Sequence, residues 1–350
     1  MAKTKVEFVC RECGASHHQW AGQCLDCKAW NTLEEIVISQ ATASKPESLK
    51  DLPASKVQHL SEIKSQNKDR LSTGLTELDR TLGGGLVDGS VVLIGGDPGI
   101  GKSTLILQAL STLNKENTTL YVSGEESAEQ VSERAVRLGI KEDVLFIGET
   151  HLEKILKLSK DVQPKVIVID SIQTMVTDLS TSAPGSVTQV RDCAAQLTQY
   201  AKQTNTVLLM IGHVTKGGAL AGPRILEHMV DAVLYFEGDA GGRYRIIRAV
   251  KNRFGAVNEI SVFAMGEKGL QQVSNPSSIF LSNQENPSSG SMVMVTREAT
   301  KPLLIEIQAL VDQSNGTPKR VSVGLDQNRL ALQLAILHKH SGISTFDQDV

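Results

Sequence analysis

The run Gly96-Asp97-Pro98-Gly99-Ile100-Gly101-Lys102-Ser103-Thr104 fits G-x-x-x-x-G-K-[ST], a spacing suited to phosphate. Its glycines let backbone N–H groups crowd an anion, and a helix N-terminus behind them adds its positive dipole end. Lys102 can reach the β- and γ-phosphates of a nucleoside triphosphate, and the Ser103 hydroxyl can hold Mg²⁺. A second acidic group for that metal is Asp170, at the end of the apolar run Val166-Ile167-Val168-Ile169. Glu125 and Glu126 directly follow Leu120-Tyr121-Val122. Glu125 is the favoured base for orienting water and Glu126 the alternative, while both could merely charge a helix N-terminus. His213 comes just after the strand-like run Val207–Ile211, where a polar side chain could feel a γ-phosphate or serve structure alone.

Cys10-x-x-Cys13 and Cys24-x-x-Cys27 make two knuckles ten residues apart. Paired thiolates at this spacing suit one tetrahedral Zn²⁺, which would supply the folding energy that so small a module lacks. Trp20 and Trp30 flank the second knuckle and are expected to pack the module rather than stack on bases. Cys193 stands alone in a helical pattern and reads as a buried apolar residue. Lys216 and Arg224 lie in a glycine-rich stretch with no apolar period, which reads as a mobile loop. From Lys216 to Arg253 there are seven basic and four acidic side chains, a local excess suited to phosphate, of DNA or of nucleotide, or simply to a solvated face.

These groups need a scaffold, and the surrounding pattern provides one. Val91–Ile94 reads as a buried strand before the phosphate loop, and Leu105–Leu110 as the helix after it. Further apolar strands alternate with helices to Val250, which indicates an α/β fold with a largely parallel sheet covered on both faces. Ser127-x-x-Gln130 can form a capping box for a helix that Gly139 stops. The expected organisation is a zinc module at 1–38, a linker at 39–69 with room for one short strand, an ATPase core at 70–273, a hinge at 274–291 and a further region at 292–350. The net charge of −3 excludes neither DNA nor protein partners. No apolar run has membrane-spanning length and the start lacks a signal-peptide core, so a soluble cytoplasmic protein is expected, with no membrane partner.

Four features occur in order: the cysteine knuckles, the phosphate loop, Tyr121-Val122-Ser123-Gly124-Glu125-Glu126-Ser127 and Lys251-Asn252-Arg253-Phe254-Gly255. Together they resemble the RadA (Sms) family of bacterial DNA repair proteins, whose core is of the RecA ATPase type. The resemblance spans essentially the whole chain, and Lys-Asn-Arg-Phe-Gly is its most specific part. It implies a DNA-stimulated ATP hydrolase using ATP and Mg²⁺, a hexameric ring similar to DnaB-type helicases, and branch migration of recombination intermediates. Single-stranded and branched DNA are the implied partners, with a recombinase or replication protein beside them. His213 then falls where such cores carry a γ-phosphate sensor, and Lys216 and Arg224 in a loop that resembles their DNA-binding loop. Lys251 and Arg253 are implied to reach a neighbour's γ-phosphate in trans. Residues 292–350 look like the start of a Lon-protease-like domain, which the end at Val350 would leave incomplete. Nothing present offers a protease nucleophile, so proteolysis is not expected. The competing readings are a RecA-fold signalling ATPase acting on protein partners without DNA, and a scaffold in which nucleotide only holds a ring together.

Overall fold

The structure is a computed structural model and describes residues 5–10, 16–26, 28–38, 70–213, 223–238, 242–281 and 289–350. The first strands, β1 (Lys5–Cys10), β2 (Ser16–His17) and β3 (Leu33–Ile38), form a small antiparallel sheet in the order β2-β1-β3. Trp20 and Trp30 do not pack this module: they are 61% and 70% exposed, and its described core is Cys10, Cys24 and Leu33. Cys13, Cys27 and the expected linker at 39–69 lie outside the described residues.

The central α/β body begins with α1 (Thr76–Thr81), β4 (Val91–Gly96), α2 (Lys102–Leu113), β5 (Thr119–Ser123) and α3 (Ala128–Arg137). Next come β6 (Leu145–Gly148), α4 (Leu152–Val162), β7 (Val166–Asp170), α5 (Val187–Thr204) and β8 (Val207–His213). After these run α6 (Pro223–Met229), β9 (Ala232–Glu237), β10 (Tyr244–Asn252), β11 (Ile260–Gly266) and β12 (Gly269–Gln272). The nine strands β4–β12 form one sheet in the order β12-β11-β10-β9-β4-β8-β7-β5-β6. It is parallel from β9 through β6 and antiparallel from β9 through β12.

Alternation along the strands feeds two cores, which is why the runs are apolar throughout. Val92, Ile94, Val168 and Leu209 join α1 and α2 on one face. Val91, Leu93, Ile167 and Leu208 join α4 and α5 on the other. Each such side chain, fully buried, contributes roughly 1.5–3 kcal/mol. The capping box forms as expected: Ser127 Oγ accepts from the Gln130 N–H, and Gln130 returns a bond to the Ser127 N–H.

Asn275–Val350 form a second compact unit. It holds α7 (Ser277–Phe280), the hairpin β13 (Ser291–Glu298) and β14 (Lys301–Gln308), β15 (Asp312–Gln313), α8 (Gln327–Ser341) and β16 (Gln348–Asp349), which pairs with β15. Leu303 is buried there, whereas α8 buries no side chain. Among the described residues no helix is long and apolar enough to cross a membrane.

Candidate nucleotide site

Strand register builds the site. Gly96 at the end of β4 pairs with His213 at the end of β8, and Asp170 at the end of β7 pairs with Ser123 at the end of β5. Four carboxyl ends of parallel strands thus meet on one edge, where open α/β sheets bind ligands. A cavity of about 320 Å³ opens there, lined by Pro98, Gly99 and Gly101 to Thr104 of the loop with Glu125, Glu126, Asp170 and His213. Arg134 and Arg137 of α3 also line it.

The loop fits a phosphate. Gly101 is the N-cap of α2 at φ +114° and offers no side-chain cap, so the first amides of a 12-residue helix remain for an anion. At that φ any side chain would be strained, so the loop's path requires glycine there. The Lys102 ammonium donates to the carbonyls of Gly96 (2.7 Å) and Asp97 (2.9 Å). Burial holds its pKa below the usual lysine range, against the pull of Asp170, Glu125 and Asp97. Arg245, 2% exposed, supports the loop from below by donating to the Ile100 carbonyl at 2.9 Å.

Asp170 is 5% exposed, and burial raises its pKa although the Tyr121 and Ser103 hydroxyls both bond it. A buried carboxylate beside a hydroxyl is a hard oxygen set of the kind that suits Mg²⁺. The two glutamates have different surroundings. Glu126 is held by both guanidinium nitrogens of Arg134. Glu125 accepts from the Ser171 hydroxyl and meets His213 Nε2 at 3.1 Å. The His213 bond is the main cause of a Glu125 pKa below the ordinary range, with burial opposing it. His213 Nδ1 lies 3.3 Å from Lys102 Nζ, so the imidazole bridges the lysine and the glutamate.

Lys251 and Arg253 are elsewhere. Lys251 lies within β10, not beyond a strand, opposite Val233, which pairs with Leu93 midway along β4. Its ammonium reaches back to Val230, and the Arg253 N–H donates to the carbonyl of Asp231, whose own N–H donates to Val91 at the start of β4. Both cations therefore sit toward the far end of the sheet from their own phosphate loop. Lys251 Nζ donates to the carbonyls of Glu227 and Val230, and Arg253 reaches Asp231 at 3.2 Å with its side chain 59% exposed. Lys216 lies outside the described residues, as does the side chain of Arg224, whose backbone is in α6.

Residues 70–256 match a family of unknown function (DUF7125), and residues 8–35 match a rubredoxin metal binding domain. DNA repair protein RadA of Pseudomonas aeruginosa is 56% identical over all of this chain and 78% of its own length. Its counterparts in Escherichia coli and Bacillus subtilis are 53% and 47% identical, over all of this chain and 78% and 77% of theirs. The chain belongs to the RadA family of DNA repair proteins.

In the part matching the rubredoxin metal binding domain, one described thiol, that of Cys24, lies where a metal could use it. Cys10 and Cys24 are buried and not disulfide-bonded. His17 Nε2 lies 3.4 Å from Cys24 Sγ, and with Asp26 the three donor atoms fall within 4.8 Å of one another. Soft thiolates and imidazole suit zinc. Arg134, Arg137, Arg245 and Tyr121 are the site residues that sequence reasoning missed. In the sequence Arg134 and Arg137 are cations on the helix that follows the glutamates, Tyr121 stands in the run before them, and Arg245 is one of the basic residues between Lys216 and Arg253.

Proposed function

We propose that this chain is a DNA-stimulated ATP hydrolase, a RecA-type motor that acts in DNA repair by branch migration of recombination intermediates. The observation that carries this is the convergence of Lys102, Glu125, Asp170 and His213 on one cavity at the ends of β4, β5, β7 and β8. Gly96 to Thr104 cradle the phosphates, with Lys102 on the β- and γ-groups. Ser103 and Asp170 would hold Mg²⁺, which neutralises charge developing on the phosphates. Glu125 orients the attacking water. Glu126 is the weaker candidate, because a bidentate arginine already occupies its carboxylate. His213, touching both Lys102 and Glu125, senses the γ-phosphate.

The finer parts of the reading belong to the same proposal. Cys10, Cys13, Cys24 and Cys27 hold one Zn²⁺ in a module at 1–38, joined by a linker at 39–69 to an ATPase core at 70–273. A hinge at 274–291 leads to a Lon-protease-like region at 292–350 with no hydrolytic role. The protein works in the cytoplasm as a hexameric ring on single-stranded and branched DNA, beside a recombinase or replication partner. Lys216 and Arg224 contact DNA phosphates, and Lys251 and Arg253 act on a neighbour's nucleotide. The test is steady-state ATP turnover with and without single-stranded DNA. Turnover that rises with DNA supports the reading. Turnover indifferent to DNA, with no DNA retained in a gel shift, would redirect it to protein partners.

A further inference from the structure

Tyr121 has no part in the reaction just proposed, yet its phenol is buried against that site. It stands in the middle of β5 at 1% exposure, paired in register with Val168 of β7, two residues before Asp170. Its hydroxyl donates to Asp170 Oδ2. Packing alone does not call for a phenol here. The ring lies nearly parallel to Phe146, with centroids 6.3 Å apart, and a phenylalanine would fill the same space. What tyrosine adds is one donor, aimed at one carboxylate oxygen.

We infer that Tyr121 is a positioning residue for the divalent cation of the nucleotide site, holding the Asp170 carboxylate in a single orientation through Oδ2. The inference rests on the reading above in which Asp170 holds Mg²⁺. A carboxylate at a strand end can turn about its last torsion, and its two oxygens are equivalent until a donor claims one. Tyr121 is a fixed donor, since its ring is locked in a core between two strands. Ser103, the other hydroxyl that bonds Asp170, belongs to the first turn of α2 and is itself a group that would go to the cation. Tyr121 is then the donor that stays on the carboxylate. Glu126, bound to Arg134, does not compete for the phenol. Partners of this kind, which orient a metal ligand without touching the metal, typically alter metal affinity by roughly 10–100-fold when removed.

The test uses the full chain, Mn²⁺ as the probe and a non-hydrolysable ATP analogue, with free Mn²⁺ read by electron paramagnetic resonance. In Tyr121→Phe the Mn²⁺ affinity of the protein–analogue complex should fall roughly 10–100-fold. Analogue binding in excess chelator and the thermal midpoint should stay near wild type. An unchanged Mn²⁺ affinity would overturn the inference, and so would an equal loss of metal-free binding, which would mean a packing role. Phe146→Leu loosens the contact on the same ring and keeps the hydroxyl. It should retain wild-type Mn²⁺ affinity, and a matching fall there would also overturn the assignment to the hydroxyl. Wild-type protein that holds no Mn²⁺ with the analogue would contradict the ATPase reading itself, so the two failures are distinct.

Discussion

His213 touches Lys102 and Glu125 at once, at 3.3 and 3.1 Å, so in the proposed reaction a change at the γ-phosphate would be felt through one ring by the carboxylate proposed to orient water. The His213 bond is the largest influence lowering the Glu125 pKa. Glu125 must be ionised to orient water, so turnover falls as pH drops through that lowered value. In His213→Asn the bond is weakened and the value rises toward that of an ordinary glutamate. The acid limb of the turnover–pH profile should then move to higher pH. A limb that stays in place would remove His213 from this role. At this scale the sequence was legible where one motif carries several roles, as in Gly96 to Thr104. It favoured Glu125 over Glu126 but gave no physical ground to decide between two adjacent, chemically alike residues. What separates them is Arg134, eight positions away and brought close only by the turn into α3. Arg245 was hidden for a similar reason: its contact at Ile100 is made across the sheet.

Among the elements, the central parallel strands β4, β5, β7 and β8 were easy to read because both of their faces are buried and their apolar runs are nearly unbroken. The strands β11 and β12 were missed, and Lys251 was placed beyond a strand that in fact runs on to Asn252. The stretch Lys251–Gly255 gains a structural meaning that its charges concealed. The Asn252 side chain donates to the Thr81 carbonyl and accepts from the Phe254 N–H, folding the turn against the end of α1. Gly255 then meets Gly83 so closely that a Cβ on Gly255 would lie 2.7 Å from the Gly83 Cα. Backbone cannot yield as a flexible side chain can. Gly255→Ala should therefore destabilise the body by about 1–3 kcal/mol, the usual cost of overpacking. Chemical denaturation measures this, and an unchanged midpoint would mean that the two turns part without penalty. The tryptophans beside the second knuckle make the opposite point. Their size suggested packing, but with a core of Cys10, Cys24 and Leu33 the module leaves both outside.

For the whole molecule, the placement of Lys251 and Arg253 away from their own phosphate loop bears on the proposed ring. Subunits with Arg253→Ala and subunits with Lys102→Ala should each be inactive alone. Mixed, they should recover part of the turnover, because some interfaces then pair an intact lysine with an intact arginine. Mixed rings without recovery would leave Arg253 to its own subunit, where it already holds Asp231. The central claim is that the cavity at the ends of β4, β5, β7 and β8 hydrolyses ATP through Glu125. The most direct measurement is nucleotide affinity and turnover, side by side, in Glu125→Gln and Glu126→Gln. Glu125→Gln should bind ATP as wild type does and lose on the order of 10²–10⁴ in turnover, the range for a removed general base, while Glu126→Gln keeps most of its activity. Wild-type turnover in Glu125→Gln would contradict the claim.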